Sequence, residues 1–149
     1  MRKTFHSKGT EKTMTIDELF QTDEYDIYNN ANLKEENLEK IASILAENKR
    51  IDLEKYLNLK ACSNKFCWNN FISVIEKLPY EDKFRGIPIL FELLQDANWP
   101  VFQHAVSALE QFGKETLTPY IEKYMKQAHA EKDDMWIENI QLLADKINQ

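Results

Sequence analysis

Few residues in this chain have the type and spacing to do chemistry. His129, Ala130 and Glu131 have the spacing of a metal-dependent deamination pair, in which a histidine ligates zinc and a glutamate moves the proton. That chemistry also needs a Cys-x-x-Cys further on, and none follows. Cys62 and Cys67 stand five apart with no second pair and no nearby histidine, so they fit neither a structural zinc site nor a redox Cys-x-x-Cys. Both read as plain thiols, and unpaired thiols suit a reducing compartment. His104 shares a helix face with Ser107 and Gln111, but nothing marks the base or the oxyanion donors that a nucleophile would need. Glu35-Glu36 and Asp133-Asp134 are neighbours that diverge by about 100 degrees on a helix, and both pairs stand where a helix N-terminus favours negative charge. Gly9, Gly86 and Gly113 are isolated, so there is no phosphate loop. The expectation is no catalytic residue, no cofactor and no metal.

Charge narrows the partners. The chain has 149 residues and a formal net charge of -6, with 19 basic and 25 acidic side chains. Arg2, Lys3, Lys8 and Lys12 against Glu11 give the first 14 residues +3, which leaves -9 for the remainder. A body of that sign repels phosphate backbones and attracts a basic partner, so a protein partner is expected and nucleic acid is not. No apolar run approaches the length of a membrane span, and no hydrophobic segment follows the basic N-terminal residues, so neither a span nor a signal peptide is expected. The expected location is cytoplasmic.

Helices must position whatever site exists. A 43% hydrophobic chain of this length can build a core without disulfides or metals, and its Glu, Lys, Leu and Ile runs without Val/Thr alternation predict an all-α fold. Residues 1 to 14 are polar and unpatterned and are expected to form a disordered basic tail, with residues 15 to 149 as a single helical-repeat domain. Thr15 and Glu18 have capping-box spacing over one turn to Phe20. Residues 21 to 30 read as an irregular acidic loop bearing Tyr25 and Tyr28, either a binding surface or a solvated loop whose tyrosines cover the first helix. Asn32 is the expected cap of a helix to about residue 48. Asp52 caps a short helix with Ile51 stapled onto Tyr56, and these two helices form a first hairpin. Asn64 starts a helix with Cys67, Phe71, Val74, Ile75 and Leu78 on one face, and Pro79 ends it.

The best-defined stretch is Gly86 to Ala128. Pro88 stands in the first turn of an apolar helix, Pro100 is expected to open the next in the same way, and Val101, Ala105, Ala108, Leu109 and Phe112 share one face. Gly113 is expected to end that helix in the left-handed conformation. Around Pro119, the positions Leu117, Ile121, Tyr124, Met125 and Ala128 are expected to form one inward face, packed antiparallel to the preceding helix. A last helix starts at Asp133-Asp134 and turns Trp136, Ile140, Leu143 and Ile147 inward. Trp68, Trp99 and Trp136 are 31 and 37 residues apart, and each has an apolar residue seven on, a spacing typical of stacked helical hairpins.

Asp96, Pro100-Val101, Ala105, Ala108-Leu109, Gly113 and Pro119 together resemble the HEAT repeat, in which an Asp-Pro turn, an alanine-rich first helix and a proline-led second helix recur, so the resemblance implies that Pro119 leads its helix. Leu93-Leu94-Gln95-Asp96-Ala97-Asn98-Trp99-Pro100-Val101 is similar to the signature of the bacterial domain-of-unknown-function 5071 family, over roughly residues 84 to 147. The resemblance implies antiparallel helical hairpins stacked as a short HEAT-like solenoid. It implies no established activity.

Three functions are weighed. The leading one is a non-enzymatic protein-binding module, of the immunity or antitoxin type, that grips a basic partner through Glu92, Gln95, Asn98, Trp99, Glu122 and Lys126. The second, by resemblance, is a HEAT-like DNA glycosylase-type enzyme, which the acidic charge opposes. The third is a homo-oligomeric structural module. The chain is expected to be a monomer or a homodimer with no membrane partner.

Overall fold

The computed structural model describes residues 15–47 and 52–149, which form helices and turns with no strand among them. The expected basic tail, the last residue of the second predicted helix and the Ile51 staple lie outside the described residues. The chain divides into two compact units, the first ending at Glu81 and the second beginning at Asp82.

The first unit is built on α2 (Glu35–Glu47) and α4 (Trp68–Lys77), preceded by α1 (Ile16–Leu19) and joined through α3 (Leu53–Tyr56). The Thr15 capping box forms in full, with Thr15 N donating to Glu18 Oε1 at 2.9 Å and Glu18 N donating to Thr15 Oγ1 at 3.1 Å. Asp52 caps α3 by accepting from Glu54 N at 3.1 Å. Asn64 does the same for Phe66 N at 2.9 Å, but what it opens is one 3-10 turn, Lys65–Cys67, before α4 becomes α-helical. Asn32 is not the cap of α2: its own N donates to Asn30 Oδ1, and the helix begins three residues later. The expected α2–α3 hairpin also gives way, because α2 packs along α4. Leu38, Ile41, Ala42 and Leu45 of α2 and Phe71, Ile72, Val74 and Ile75 of α4 are buried in this unit. Four residues cannot bury an apolar stripe as ten can, so the long helices choose each other.

The second unit runs through α5 (Tyr80–Lys83), α6 (Ile87–Glu92), α7 (Phe102–Glu110), α8 (Lys114–Ala130) and α9 (Asp134–Ile147), with α5 straddling the division. Pro88 does lie in the first turn of α6. Pro100 does not open α7, which begins at Phe102 after a turn closed by Phe102 N to Trp99 O at 3.1 Å. Nor does Pro119 lead its helix. α8 starts at Lys114, which places the proline inside it, where its ring removes one helical hydrogen bond. The helix that was expected to pack on α7 instead packs along α9, while α7 lies against α6 and α9. Gly113 explains part of this: with φ 84° and ψ 164° it has positive φ but an extended backbone, so it carries the chain away from α7 and not through a left-handed cap.

The α8–α9 turn has the true left-handed residue, Lys132 at φ 56°. Lys132 N donates to His129 O at 3.0 Å and Asp133 N to Ala128 O at 2.9 Å, the paired bonds of a Schellman cap with lysine where glycine is usual. Asp133 then caps α9 by accepting from Trp136 N at 3.1 Å. Trp136, Ile140 and Leu143 are buried as expected, and Ile147 is half-buried. Phe91 stacks nearly parallel on Tyr124, with ring centroids 4.8 Å apart, and Tyr124 leans on Trp136 at 6.1 Å.

Candidate functional site

Among the described residues, each unit has a surface concavity. The first is a hollow of about 550 Å³ lined by Asp17, Phe20, Gln21, Asp26, Tyr28 and Asn29. Its floor is aromatic because the acidic segment is anchored from below. Ile27 is fully buried, and the Tyr28 ring meets Phe20 at 5.7 Å and Phe71 at 6.1 Å, both edge to face. The Tyr28 hydroxyl donates to Tyr56 O at 2.6 Å. Burial, then the nearby acidic groups, keep that phenol protonated well above its ordinary range.

Segment 21–30 is therefore held by side chains from the helices. Asn70, 3% exposed on α4, donates to Ile27 O and Asn30 O, both at 3.0 Å, and Asn37 of α2 donates to Glu24 O at 3.0 Å. Asp26 holds the tip: its Oδ1 accepts from Tyr28 N at 3.1 Å and Asn29 N at 3.2 Å, and its Oδ2 from Asn29 Nδ2 at 2.9 Å. What reads as an irregular loop contains a 3-10 turn at Asp23–Tyr25 and is fixed at several points. Asp23 and Glu24 are exposed along it and Asp17 and Glu18 on the adjoining α1, and residues 15 to 33 contain no lysine or arginine.

The two thiols lie below this segment and are poor nucleophiles. Burial, and then Cys67 and Asp26, push the Cys62 thiol up to about 12. Cys67, fully buried as the helix face predicts, is raised by burial and by Asp26. Among the described residues, no group of three or more His, Cys, Asp or Glu could hold a metal ion, and no helix is long and apolar enough to cross a membrane.

The second concavity is an open groove of about 810 Å³ along α8, lined by Pro119, Ile121, Met125, Glu122, Lys123, Lys126 and His129. Ile121 and Met125 belong here: only Leu117, Tyr124 and Ala128 of the five expected inward positions are buried. The helix turns 100 degrees per residue, so Ile121 and Met125 fall on the flank of that stripe.

Of the residues expected to grip a partner, Glu122 and Lys126 line this groove together. Glu92 is the exposed last residue of α6, Gln95 is half-buried beyond it, and neither is among the described groove residues. Asn98 is exposed in the turn, its N donating to Asp96 Oδ1 at 2.8 Å, and Trp99 is half-buried there.

Sequence reasoning missed the buried asparagines. Asn139 of α9 donates to Leu94 O at 2.7 Å, and beside it Trp136 Nε1 donates to Phe91 O at 3.0 Å, so two side chains of α9 cap the end of α6. In α4, Trp68 Nε1 donates to Leu59 O at 3.0 Å, two residues from Asn70. The signal was present: Asn70 stands three after Cys67 and four before Val74, and Asn139 three after Trp136 and four before Leu143, so each amide sits on an apolar stripe.

No curated protein and no solved structure matches the chain. A family model does, that described as Domain of unknown function (DUF5071), over residues 63–148, beginning at the turn before α4 and continuing through α9. With more than half of its length covered, including α4 with the buried Asn70 and α9 with the buried Trp136 and Asn139, the chain belongs to the DUF5071 family.

Proposed function

We propose that the protein is a non-enzymatic binding module that takes a lysine- or arginine-bearing segment of a protein partner into the hollow of its first unit. The observation that carries this reading is the combination in that hollow of the Asp17 and Asp26 carboxylates with the Phe20 and Tyr28 rings. A guanidinium or ammonium head meets carboxylates there, and its methylene stem and charge lie against aromatic surface. The anchored backbone helps, because a segment already ordered loses little freedom on binding.

The α8 groove suits a basic partner less well, since Lys123, Lys126 and His129 offset Glu122. Glu92, Gln95, Asn98 and Trp99 then contribute a secondary surface of the second unit. The consecutive α6–α7 and α8–α9 packing supports HEAT-like hairpins, and the free cysteines support a reducing, cytoplasmic location. The acidic charge supports an immunity-type role against a basic partner.

The test uses the full chain and a hepta-arginine peptide, followed by amide NMR shifts and titration at low and high salt. Shifts should concentrate at residues 17 to 29, and Asp17→Lys should weaken binding about fivefold or more while the exposed Glu39→Lys on α2 changes it much less. Equal losses for the two reversals, or shifts spread over all acidic residues, would mean diffuse attraction and would remove the hollow from the reading.

A further inference from the structure

The α8 groove has an apolar floor, Ile121 and Met125, and a rim on which Lys123, Lys126 and His129 outnumber Glu122. It runs from Pro119 to His129, about 15 Å along the helix at 1.5 Å per residue. The complementary surface is on the same protein. On α9, Met135 is 43% exposed and Leu142 is 42% exposed, seven residues apart and so on one face two turns from each other. Three positions beyond each stands an exposed carboxylate, Glu138 and Asp145. The stripe thus presents two apolar side chains roughly 10 Å apart with Glu138 and Asp145 beside them, while Lys146, four beyond Leu142, is paired with Glu110 at 3.9 Å.

We infer that the α8 groove receives α9 of a second copy of this chain. Met135 and Leu142 enter beside Ile121 and Met125, and Glu138 and Asp145 face Lys123 and Lys126. The exchange can be reciprocal, each copy giving its α9 to the other's α8, which closes a two-fold dimer with the same patch on both sides. A single helix in an open groove covers well under the area of a stable dimer, so the association is weak and dependent on concentration. This surface is separate from the acidic hollow, and failure of either reading leaves the other standing.

Sedimentation equilibrium of the full chain at low salt, up to about 1 mM protein, reads the association directly. The native chain should show a reversible dimer. Leu142→Lys should weaken it at least tenfold, and so should Lys126→Glu. Adding Glu138→Lys to Lys126→Glu should recover most of that loss, and helical content should stay unchanged in all three because every altered side chain is exposed. In mixtures of isotopically light and heavy protein, carbodiimide coupling should join Lys126 of one copy to Glu138 of the other. A chain that stays monomeric throughout, or a dimer indifferent to Leu142→Lys and to the charge exchange, would overturn the inference.

Discussion

Asn70 in the first unit and Asn139 in the second do the same chemistry in different surroundings. Each is a buried amide on a helix, donating to backbone carbonyls 40 to 45 positions away in sequence. In the second unit the carbonyl it meets closes the end of a helix, α6, that is already part of the core, and Trp136 serves the neighbouring one. In the first unit the carbonyls belong to an acidic loop with no ladder of its own. A helix end needs only one or two outside donors, whereas a loop whose turns pair only part of its backbone leaves carbonyls along it for side chains of other elements to meet. The first unit uses buried amides to present a charged surface, and the second uses them to close its core.

That contrast can be broken by substitution, and the largest effect is expected at Trp136. Trp136→Ala removes a fully buried indole and should cost about 3–5 kcal/mol in urea denaturation. A loss below about 1 kcal/mol would deny that α9 closes the second core. The asparagines test the comparison itself. Asn70→Leu leaves two carbonyls without that donor and should cost about 2–4 kcal/mol, whereas Asn139→Leu strips one and should cost about 1–2 kcal/mol. Hydrogen exchange should also quicken at residues 27 to 30 in the first variant only. Equal costs, or no change in exchange, would show that the loop is held by Asp26 and Tyr28 without help from α4.

The connections of the second unit sharpen the contrast with smaller effects. Gly113→Ala meets no atom within 4 Å, so its cost is backbone strain alone, about 1–3 kcal/mol for a side chain at φ 84°, ψ 164°. Lys132→Gly should move the other way. It relieves a left-handed lysine but frees the unfolded chain, for a net gain of about 0.5 kcal/mol, read as a small rise in melting temperature. A loss at Lys132→Gly would mean that the lysine side chain contributes something its backbone does not reveal.

Local rules held at several caps and failed at Asn32 and Pro100, beyond which the helix starts later than the signal. The Thr15 box, the Asp52, Asn64 and Asp133 caps, Pro88, the buried face of α4 and the all-α class follow from spacing, because each depends on residues within a turn or two of one another. The signature around Leu93 to Val101 identified the family for the same reason. Pairing was not legible. Amphipathic stripes show that α2, α7 and α8 each need a partner, yet any apolar stripe can satisfy any other, and only the three-dimensional arrangement sets α2 on α4 in place of α3, and α8 on the helix after it, α9, in place of the one before it, α7. The candidate sites share that origin. Asp17 and Phe20 share a hollow with Asp26 and Tyr28 because Asn37, Tyr56 and Asn70, from elements later in the chain, hold the loop in place, and Ile121 and Met125 line a groove because they stand on the flank of α8 beside the stripe that is buried. Periodicity reports which residues turn from water; which surface they find, and which they leave open, depends on contacts between residues far apart in the chain.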